Sequence, residues 1–310
     1  MTEALLFISG LVGLWLGTKW VVKSAIGIAK RFNLSHTFVG LAILAIGTDL
    51  PEVFVSIDAS ILHLKGVESS GIITGNAIGS SISQISIILG LAGLFLNFTI
   101  PKKELFRDGL ALLISIGLLF AVGLDGVISR ADGLVLLAAY LIYYLVLLKS
   151  NQNVTTDLDA HVHLNYLKLA AYLLVGFVAL VFSSHLVVKN AMFFAEKWGV
   201  AQSFVGIVLI GLGTSLPELA VSIDAAIRKS AGMSVGTIMG SNIFDTLVPI
   251  GLGGSISQIS MEIGLLRYDL PVQLGITLLV VIFLKTKRGI SWVESVVLIA
   301  LYLVYVFGKI

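Results

Sequence analysis

The sequence predicts an all-α membrane protein with about ten transmembrane helices in two inverted five-helix repeats. Only 12% of its 310 residues are charged and 57% are hydrophobic, whereas about 25% of an ordinary soluble domain is charged. Apolar runs of about 18 or more residues, the length needed to cross a bilayer, recur along the chain. Several short motifs also occur twice, in the same order, once in each half.

The apolar runs define ten predicted spans, five on each side of a polar stretch that begins at Ser150 and is rich in Asn, Gln, Thr, Asp and His. We therefore divide the chain into a first repeat at 1–149, a connecting loop at 150–165 and a second repeat at 166–310. The ten spans cover residues 4–24, 36–62, 70–97, 107–125, 132–149, 166–188, 202–226, 232–260, 269–286 and 291–308.

Two pairs of matching blocks identify the repeats. GTDLPE at 47–52 corresponds to GTSLPE at 213–218, and GNAIGS at 75–80 corresponds to GTIMGS at 236–241. Because each half contains an odd number of spans, the second half must enter the membrane from the opposite side. Inverted repeats of this kind are typical of secondary transporters, which bind ions at the repeat interface near the midplane.

The basic residues predict the orientation. Lys and Arg are concentrated in the loops after odd-numbered spans, and cytoplasmic loops carry the excess of these residues. We therefore expect a multi-pass protein of the inner or plasma membrane, embedded in the lipid bilayer, with both termini outside.

Each GTxLPE motif places a glutamate next to a proline within an apolar run. An ionisable residue there costs about 2.5–3.5 kcal/mol on insertion scales, so Glu52 and Glu218 are functional candidates. Proline removes a helical hydrogen bond and disfavours α geometry in the residue before it, which predicts a break at Leu50-Pro51 and at Leu216-Pro217. Irregular backbone at this depth is tolerated where it lines a cavity.

The motifs and the blocks that follow them supply a set of oxygen donors. Residues four apart on a helix share a face, which groups Thr48 with Glu52 and Thr214 with Glu218. Backbone carbonyls freed by the breaks, near Ala45 and Gly211, can add to them. The pooled side chains are Thr48, Asp49, Glu52, Ser80, Gln84, Thr214, Ser215, Glu218, Ser241 and Asp245.

Such a set favours hard cations. Ca²⁺ takes six to eight oxygen ligands at about 2.3–2.6 Å, and Na⁺ can use the same donors. The chain has no cysteine, which excludes thiolate metal sites, and no histidine lies near the motifs, so a soft transition metal is not expected.

The paired motifs resemble the two conserved repeats of the calcium/cation antiporter superfamily, and most of all those of its prokaryotic sodium/calcium exchangers. The resemblance covers nearly the whole chain. It implies a secondary antiporter that exchanges Ca²⁺ for Na⁺ by alternating access, without a cofactor. It also implies that Glu52 and Glu218 are the central ligands and that Asp245 is a third carboxylate. The hydroxyl groups and the carbonyls near Ala45 and Gly211 would complete a cluster of sites.

Two positions depart from the family pattern. Asp49 stands where the second repeat has Ser215, and Gln84 stands opposite Asp245, where Asn or Asp is usual. A fourth carboxylate changes the charge that the transported ions must neutralise, because like charges at short distance disfavour joint ionisation. Exchange of Ca²⁺, or of another divalent cation, for H⁺ is therefore the main alternative.

Other classes fit less well. The chain has neither the GxGD motif of intramembrane aspartyl proteases nor an HExxH zinc motif, so we do not expect an enzyme. A net charge of +2 without a basic cluster gives no indication of nucleic-acid binding. A cation channel is a closer rival, but channels usually complete a pore by symmetric assembly. An internal inverted repeat can enclose a site within one chain, which favours a monomeric functional unit.

Other ionisable groups also lie within the spans. Asp58 and Asp224 follow the two motif glutamates by six residues, either along an access path or at solvated helix ends. His185, in the sixth span, is expected to be a structural histidine.

Overall fold

The computed structural model describes residues 2–31, 45–95, 102–150, 166–227, 231–287 and 289–309. The first half contains α1 (Thr2–Arg31), α2 (Ala45–Thr48), α3 (Leu50–Leu64), α4 (Ser70–Ser83), α5 (Leu89–Phe95), α6 (Lys102–Gly123), β1 (Val127–Ile128) and α7 (Arg130–Ser150). The second half contains α8 (Tyr166–Trp198), α9 (Gln202–Val205), α10 (Leu212–Thr214), α11 (Leu216–Ile227), α12 (Ala231–Ser257), β2 (Ile259–Ser260), α13 (Leu270–Lys287) and α14 (Trp292–Phe307).

The helices confirm the predicted all-α membrane class. Within the described ranges, seven helices or helical stretches are long and apolar enough to cross a membrane, and α14 is a shorter apolar helix. The second predicted span is represented by α2 and α3, and the eighth by α12. The beginning of the second span, at 36–44, and most of the predicted connecting loop, at 151–165, lie outside the described residues.

The helices that carry the two GTxLPE motifs both break, one residue before the predicted positions at Leu50-Pro51 and Leu216-Pro217. The break falls on Asp49 between α2 and α3, with φ −84° and ψ 5°, and on Ser215 between α10 and α11, with φ −81° and ψ 4°. Pro51 then occupies the first turn of α3, where proline is tolerated because the N–H of that position has no helical acceptor. The two halves therefore have the same backbone distortion at matching positions.

Among the described residues, three π-helical turns interrupt the long helices, at Gln84–Ile88, Gly206–Gly211 and Leu265–Asp269. Such turns are rare and occur frequently at functional sites. The first begins at Gln84 and the second ends at Gly211, so two of the predicted ligands lie on distorted backbone.

Two other boundaries differ from the sequence prediction. Helix α8 continues to Trp198, ten residues beyond the predicted end of the sixth span, because Ala191 and Ala195 keep one face packed in the interior. Helix α12 ends at Ser257 rather than at residue 260, because Gln258 adopts a positive φ of 49° and the chain then enters β2.

Strand β2 pairs antiparallel with β1, with Val127 opposite Ser260 and Ile128 opposite Ile259. The backbone N–H of Met261 also donates to the carbonyl of Gly126 at 2.8 Å. This two-stranded sheet connects the loop before α7 with the loop after α12, and therefore ties the two halves together at one end of the helices. The sequence analysis did not predict it.

Helix α4 is the centre of the protein, and every residue from Ser70 to Ser83 is buried. A Cβ added at Gly75 would lie 2.5 Å from the carbonyl oxygen of Ser203, and one added at Gly79 would lie 2.5 Å from the Cα of Ile207. From the other side, a Cβ at Gly211 would lie 2.6 Å from the backbone N of Ser80. The backbone of α4 is thus in direct contact with the backbone of residues 203–211, a close approach that small residues allow in membrane proteins.

We expect Gly75→Ala to lower the thermal midpoint of the detergent-solubilised protein by roughly 5 °C or more, because the added methyl group must separate two backbones, and such overpacking typically costs about 1–3 kcal/mol. Gly117→Ala is the matched control, since a Cβ there meets nothing within 4 Å. Equal midpoints for the two variants, followed by tryptophan fluorescence during heating, would contradict the close backbone contact.

Candidate cation-binding site

The side chains predicted as ligands lie in the interior of the protein. Ala45 is the first residue of α2, but its side chain lies outside the described set, and Gly211 ends its π-helical turn. The other predicted ligands are all buried: Thr48, Asp49, Glu52, Ser80, Gln84, Thr214, Ser215, Glu218, Ser241 and Asp245.

The structure brings four carboxyl groups from the two halves into one buried cluster. The carboxyl groups of Asp49 and Glu218 are close enough to interact electrostatically. Glu218 also interacts electrostatically with Glu52 and Asp245, and Asp245 interacts with Glu52 and Asp49. Since all four side chains are at most 1% exposed, their negative charges are separated from bulk water.

Most oxygens of these acids have no hydrogen-bond donor among the described residues. This holds for both carboxylate oxygens of Asp49, Glu52 and Glu218, and for Oδ1 of Asp245. Buried polar groups are almost always hydrogen-bonded, and those that are not often face an ion or a functional group. Seven unpaired carboxylate oxygens in one interior cluster therefore require cations or protons.

Hydroxyl groups surround the acids, and several donate their own protons elsewhere. The Thr214 hydroxyl lies near Glu52 but donates to the carbonyl of Ile210 at 3.0 Å or to Oδ1 of Asn76 at 3.2 Å. The Ser80 hydroxyl donates to the carbonyl of Asn76 at 2.6 Å. A hydroxyl that donates in this way keeps its oxygen lone pairs available for a cation.

The carbonyl of Gly211, predicted as a freed ligand, has a partner. The Ser215 hydroxyl donates to it at 2.8 Å, and Ser83 in turn donates to the Ser215 hydroxyl at 3.4 Å. The second lone pair of the Gly211 carbonyl is the part of this group that a cation could use.

Both ends of the Gln84 amide, whose oxygen is a predicted ligand, have hydrogen-bond partners. Its amide nitrogen donates to Oδ2 of Asp245 at 2.9 Å, and its amide oxygen accepts from the side chain of Asn242 at 3.0 Å. The orientation follows from chemistry, because the ionised carboxylate can only accept, and the Asn242 nitrogen also donates to the carbonyl of Ile238. Gln84 therefore holds Asp245 in place through its N–H, and its oxygen is directed towards Asn242.

Two asparagines were missed by the sequence analysis as site residues. Asn76 donates to the backbone carbonyl of Glu52 at 3.4 Å and accepts from Thr214, so it joins the motif helices of the two halves. Asn242 holds Gln84, and its own Oδ1 has no donor among the described residues. A signal was available, because both amides lie in or directly after the repeated glycine blocks.

The carboxylates do not form a metal site by themselves. Among the residues that the structure describes, no three His, Cys, Asp or Glu side chains lie close enough together to hold a metal ion. The predicted site combines carboxylate oxygens with hydroxyl, amide and backbone oxygens, the mixture that Ca²⁺ accepts in proteins.

Comparisons with known proteins agree on one family. The family model described as "sodium/calcium exchanger protein" matches residues 2–149 and 168–310. The membrane protein MJ0091 of Methanocaldococcus jannaschii is 31% identical, over 96% of this chain and 95% of that one. The sodium/calcium exchanger MaX1 of Methanosarcina acetivorans is 29% identical, over 97% of this chain and 96% of that one.

A solved structure covers the same length. The sodium-calcium exchanger NCX_Mj, soaked with 2.5 mM Na⁺ and 0.1 mM Ca²⁺, is 30% identical and superimposes with a TM-score of 0.68. The match covers 99% of this chain and 98% of NCX_Mj.

We expect Gln84→Leu to lower the thermal midpoint in a buffer without Na⁺ or Ca²⁺ by several degrees, because loss of a donor to a buried carboxylate costs about 1–3 kcal/mol. Saturating Ca²⁺ should restore most of the loss, since the cation replaces the missing donor. Gln273→Leu is the control, because Gln273 is equally buried but donates to the hydroxyl of Thr246 at 3.1 Å. Ca²⁺ should therefore raise the thermal midpoint of Gln273→Leu by no more than it raises that of the parent. Equal Ca²⁺ effects on the two variants would contradict this role of Gln84.

Proposed function

Because the chain belongs to the sodium/calcium exchanger family, we propose that it is a multi-pass membrane antiporter that exchanges Ca²⁺ for Na⁺ by alternating access. The relative MaX1 is named a sodium/calcium exchanger, and NCX_Mj has been studied with both ions. The observation that carries the proposal is the buried cluster of four carboxyl groups with seven unpaired oxygens.

In this proposal Glu52 and Glu218 are the central ligands, and Asp245 contributes Oδ1, its one oxygen without a donor. The remaining oxygens come from hydroxyl groups and from backbone carbonyls near the two helix breaks. The donor set for Ca²⁺ and Na⁺ is Thr48, Asp49, Glu52, Ser80, Thr214, Ser215, Glu218, Ser241 and Asp245, with the carbonyls of Ala45 and Gly211.

Charge explains why such a site exchanges ions rather than leaking them. An unneutralised carboxylate is costly to move past the hydrophobic barrier between two access states. One Ca²⁺ or several Na⁺ remove much of the charge of the cluster, so loaded forms change state more readily than the empty form. Return of the transporter then needs a counter-ion, which separates an exchanger from a channel.

The packing supports a defined moving unit. Gly10 of α1 lies against Ser183 and Val187 of α8, and the facing Gly17 and Gly176 bring the two helices into backbone contact. The two helices contact each other far more extensively than they contact the remaining helices. We propose that α1 and α8, here called the sliding pair, move together across the rest of the protein.

The inverted repeats support the same mechanism. The proposed halves, 1–149 and 166–310, have matching breaks at Asp49 and Ser215, and the family match leaves out residues 150–167. One chain therefore supplies both halves of the site, so we propose a monomeric functional unit that needs no cofactor and performs no enzymatic reaction. The excess of basic residues supports a place in the inner membrane with both termini outside.

The presence of a fourth carboxylate, that of Asp49, favours a second candidate function, the exchange of Ca²⁺ for H⁺. Two buried carboxylates that interact electrostatically, as those of Asp49 and Glu218 do, repel each other unless a cation or a proton lies between them. The fourth carboxylate raises by one the charge that the transported ions must neutralise. An additional Na⁺ per cycle satisfies this requirement within the proposed function, and exchange for H⁺ is the alternative.

We expect Glu52→Gln and Glu218→Gln each to abolish Na⁺-driven Ca²⁺ uptake into proteoliposomes, because each removes a central ligand charge. Glu104→Gln, in the first turn of α6, is the control and should transport like the parent. Ca²⁺ uptake in the parent should also require Na⁺ on the opposite side. Retained exchange in either glutamine variant would remove that residue from the mechanism, and uptake without a counter-ion would indicate a channel.

We expect Asp49→Ser to reduce by one the number of Na⁺ ions exchanged per Ca²⁺, because it restores the residue found at Ser215 in the other half. The measurement is the reversal potential of radiolabelled Ca²⁺ flux in proteoliposomes under imposed Na⁺ gradients. Parallel H⁺ gradients test the alternative: uptake driven by H⁺ in the parent and by Na⁺ only in the variant would identify H⁺ as the coupling ion. An unchanged stoichiometry would exclude Asp49 from the ion count.

A further inference from the structure

One ion pair outside the cation site joins the sliding pair to the rest of the protein. Asp58 lies on α3, six residues after Glu52, which is about 9 Å further along the helix axis. Its Oδ1 is 3.4 Å from Nδ1 of His185 on α8. The Asp58 side chain is 17% exposed and that of His185 is 51% exposed, so the contact is half-buried and open to a proton.

This contact joins two parts of the protein that move relative to each other in the proposed mechanism. His185 belongs to the sliding pair, whereas Asp58 lies on the same helix as Glu52 and is fixed to the cation site. A side-chain contact of this length forms in one arrangement of the two parts and breaks when α8 slides along α3. Any free energy of the contact is therefore lost on leaving the arrangement seen here.

The internal repeat gives this pair a counterpart with different chemistry. The offset of 166 residues that relates Glu52 to Glu218 also relates Asp58 to Asp224 and Lys19 to His185. The matching positions of the other half thus hold an aspartate on the motif helix and a lysine on α1. The position that matches His185 therefore carries a lysine and not a second histidine.

We propose, on the basis of the antiporter function above, that Asp58 and His185 form a proton-sensitive latch that holds the sliding pair in one access state. Imidazole is the side chain that changes charge between about pH 5 and 8, whereas an ammonium group stays charged. Acidification therefore stabilises one access state selectively.

The charged surroundings of the latch are simple. Of the described residues, His185 and Lys65 are the charged groups that act on Asp58, and Lys65 lies at the end of α3 itself. His63 and Glu68 form a similar contact at the same end, with 3.6 Å between Nδ1 and Oε2. Both belong to α3 and its following loop, so that contact does not cross the boundary and provides a matched control.

The first test is a reversible cross-link. The chain has no cysteine, so Asp58→Cys with His185→Cys can be bridged by a short bifunctional thiol reagent and released by a reductant. We expect the bridge to reduce Na⁺-driven Ca²⁺ uptake at least tenfold, and the reductant to restore it. The control pair His63→Cys with Glu68→Cys should transport equally in both forms. Normal uptake by the bridged Asp58–His185 pair would overturn the proposal.

The second test is the pH dependence of turnover at saturating ion concentrations, between pH 6 and pH 8. His185→Lys should be slow at both pH values, and Asp58→Asn fast at both. The parent should be slow at pH 6 and fast at pH 8. The ratio of its turnover rates at the two pH values should be about two- to fivefold, the size expected for a partly exposed ion pair. If the ratio of turnover at pH 8 to turnover at pH 6 is the same in the parent and in Asp58→Asn, the latch is overturned and the antiporter function is not. Absence of exchange in the parent at pH 8 would overturn the antiporter function.

Discussion

The repulsion among four buried carboxyl groups is the constraint on which the rest of the structure depends. Asp49, Glu52, Glu218 and Asp245 lie away from water, and seven of their eight oxygens lack a donor among the described residues. Such a cluster is stable only with positive charge in it, because each unneutralised carboxylate would cost several kcal/mol in a low-dielectric interior. In the proposed mechanism the same requirement favours the loaded states, so that binding and transport have one physical origin.

The scaffold holds these charges together by bringing backbones into contact rather than by burying large side chains. In a membrane, apolar side chains gain little by leaving lipid, and association depends on close packing and hydrogen bonds. Gly75 and Gly79 of α4 meet the helix that carries Gly211, and Asn76 on the same helix joins Glu52 to Thr214. The second half of the site is thereby fixed directly to the first.

The sequence predicted the class, the family and the buried acids because each depends on a local pattern. A proline beside a glutamate in an apolar run indicates both a helix break and a functional charge. The structure has the breaks and buries both glutamates, and their functional role stays a prediction. The role of Gln84 could not be predicted, because the direction of its amide depends on Asn242 from another helix, 158 residues away. The β1–β2 pairing and the Asp58–His185 contact are also non-local. Each of these contacts joins two distant segments, and the sequence of neither segment indicates which partner it contacts.

The differences between the two halves have a further consequence. In an ideal inverted repeat the two access states are related by a two-fold rotation about an axis in the membrane plane and have the same free energy. Any preference between them must then come from positions where the halves differ. This chain differs within the site, with Asp49 against Ser215 and Gln84 against Asp245, and at the boundary of the sliding pair, with His185 against Lys19. Differences within the site change how many ions neutralise it, whereas differences at the boundary change which side is open. In the proposed mechanism, the ion count and the preferred access state are therefore set by separate residues.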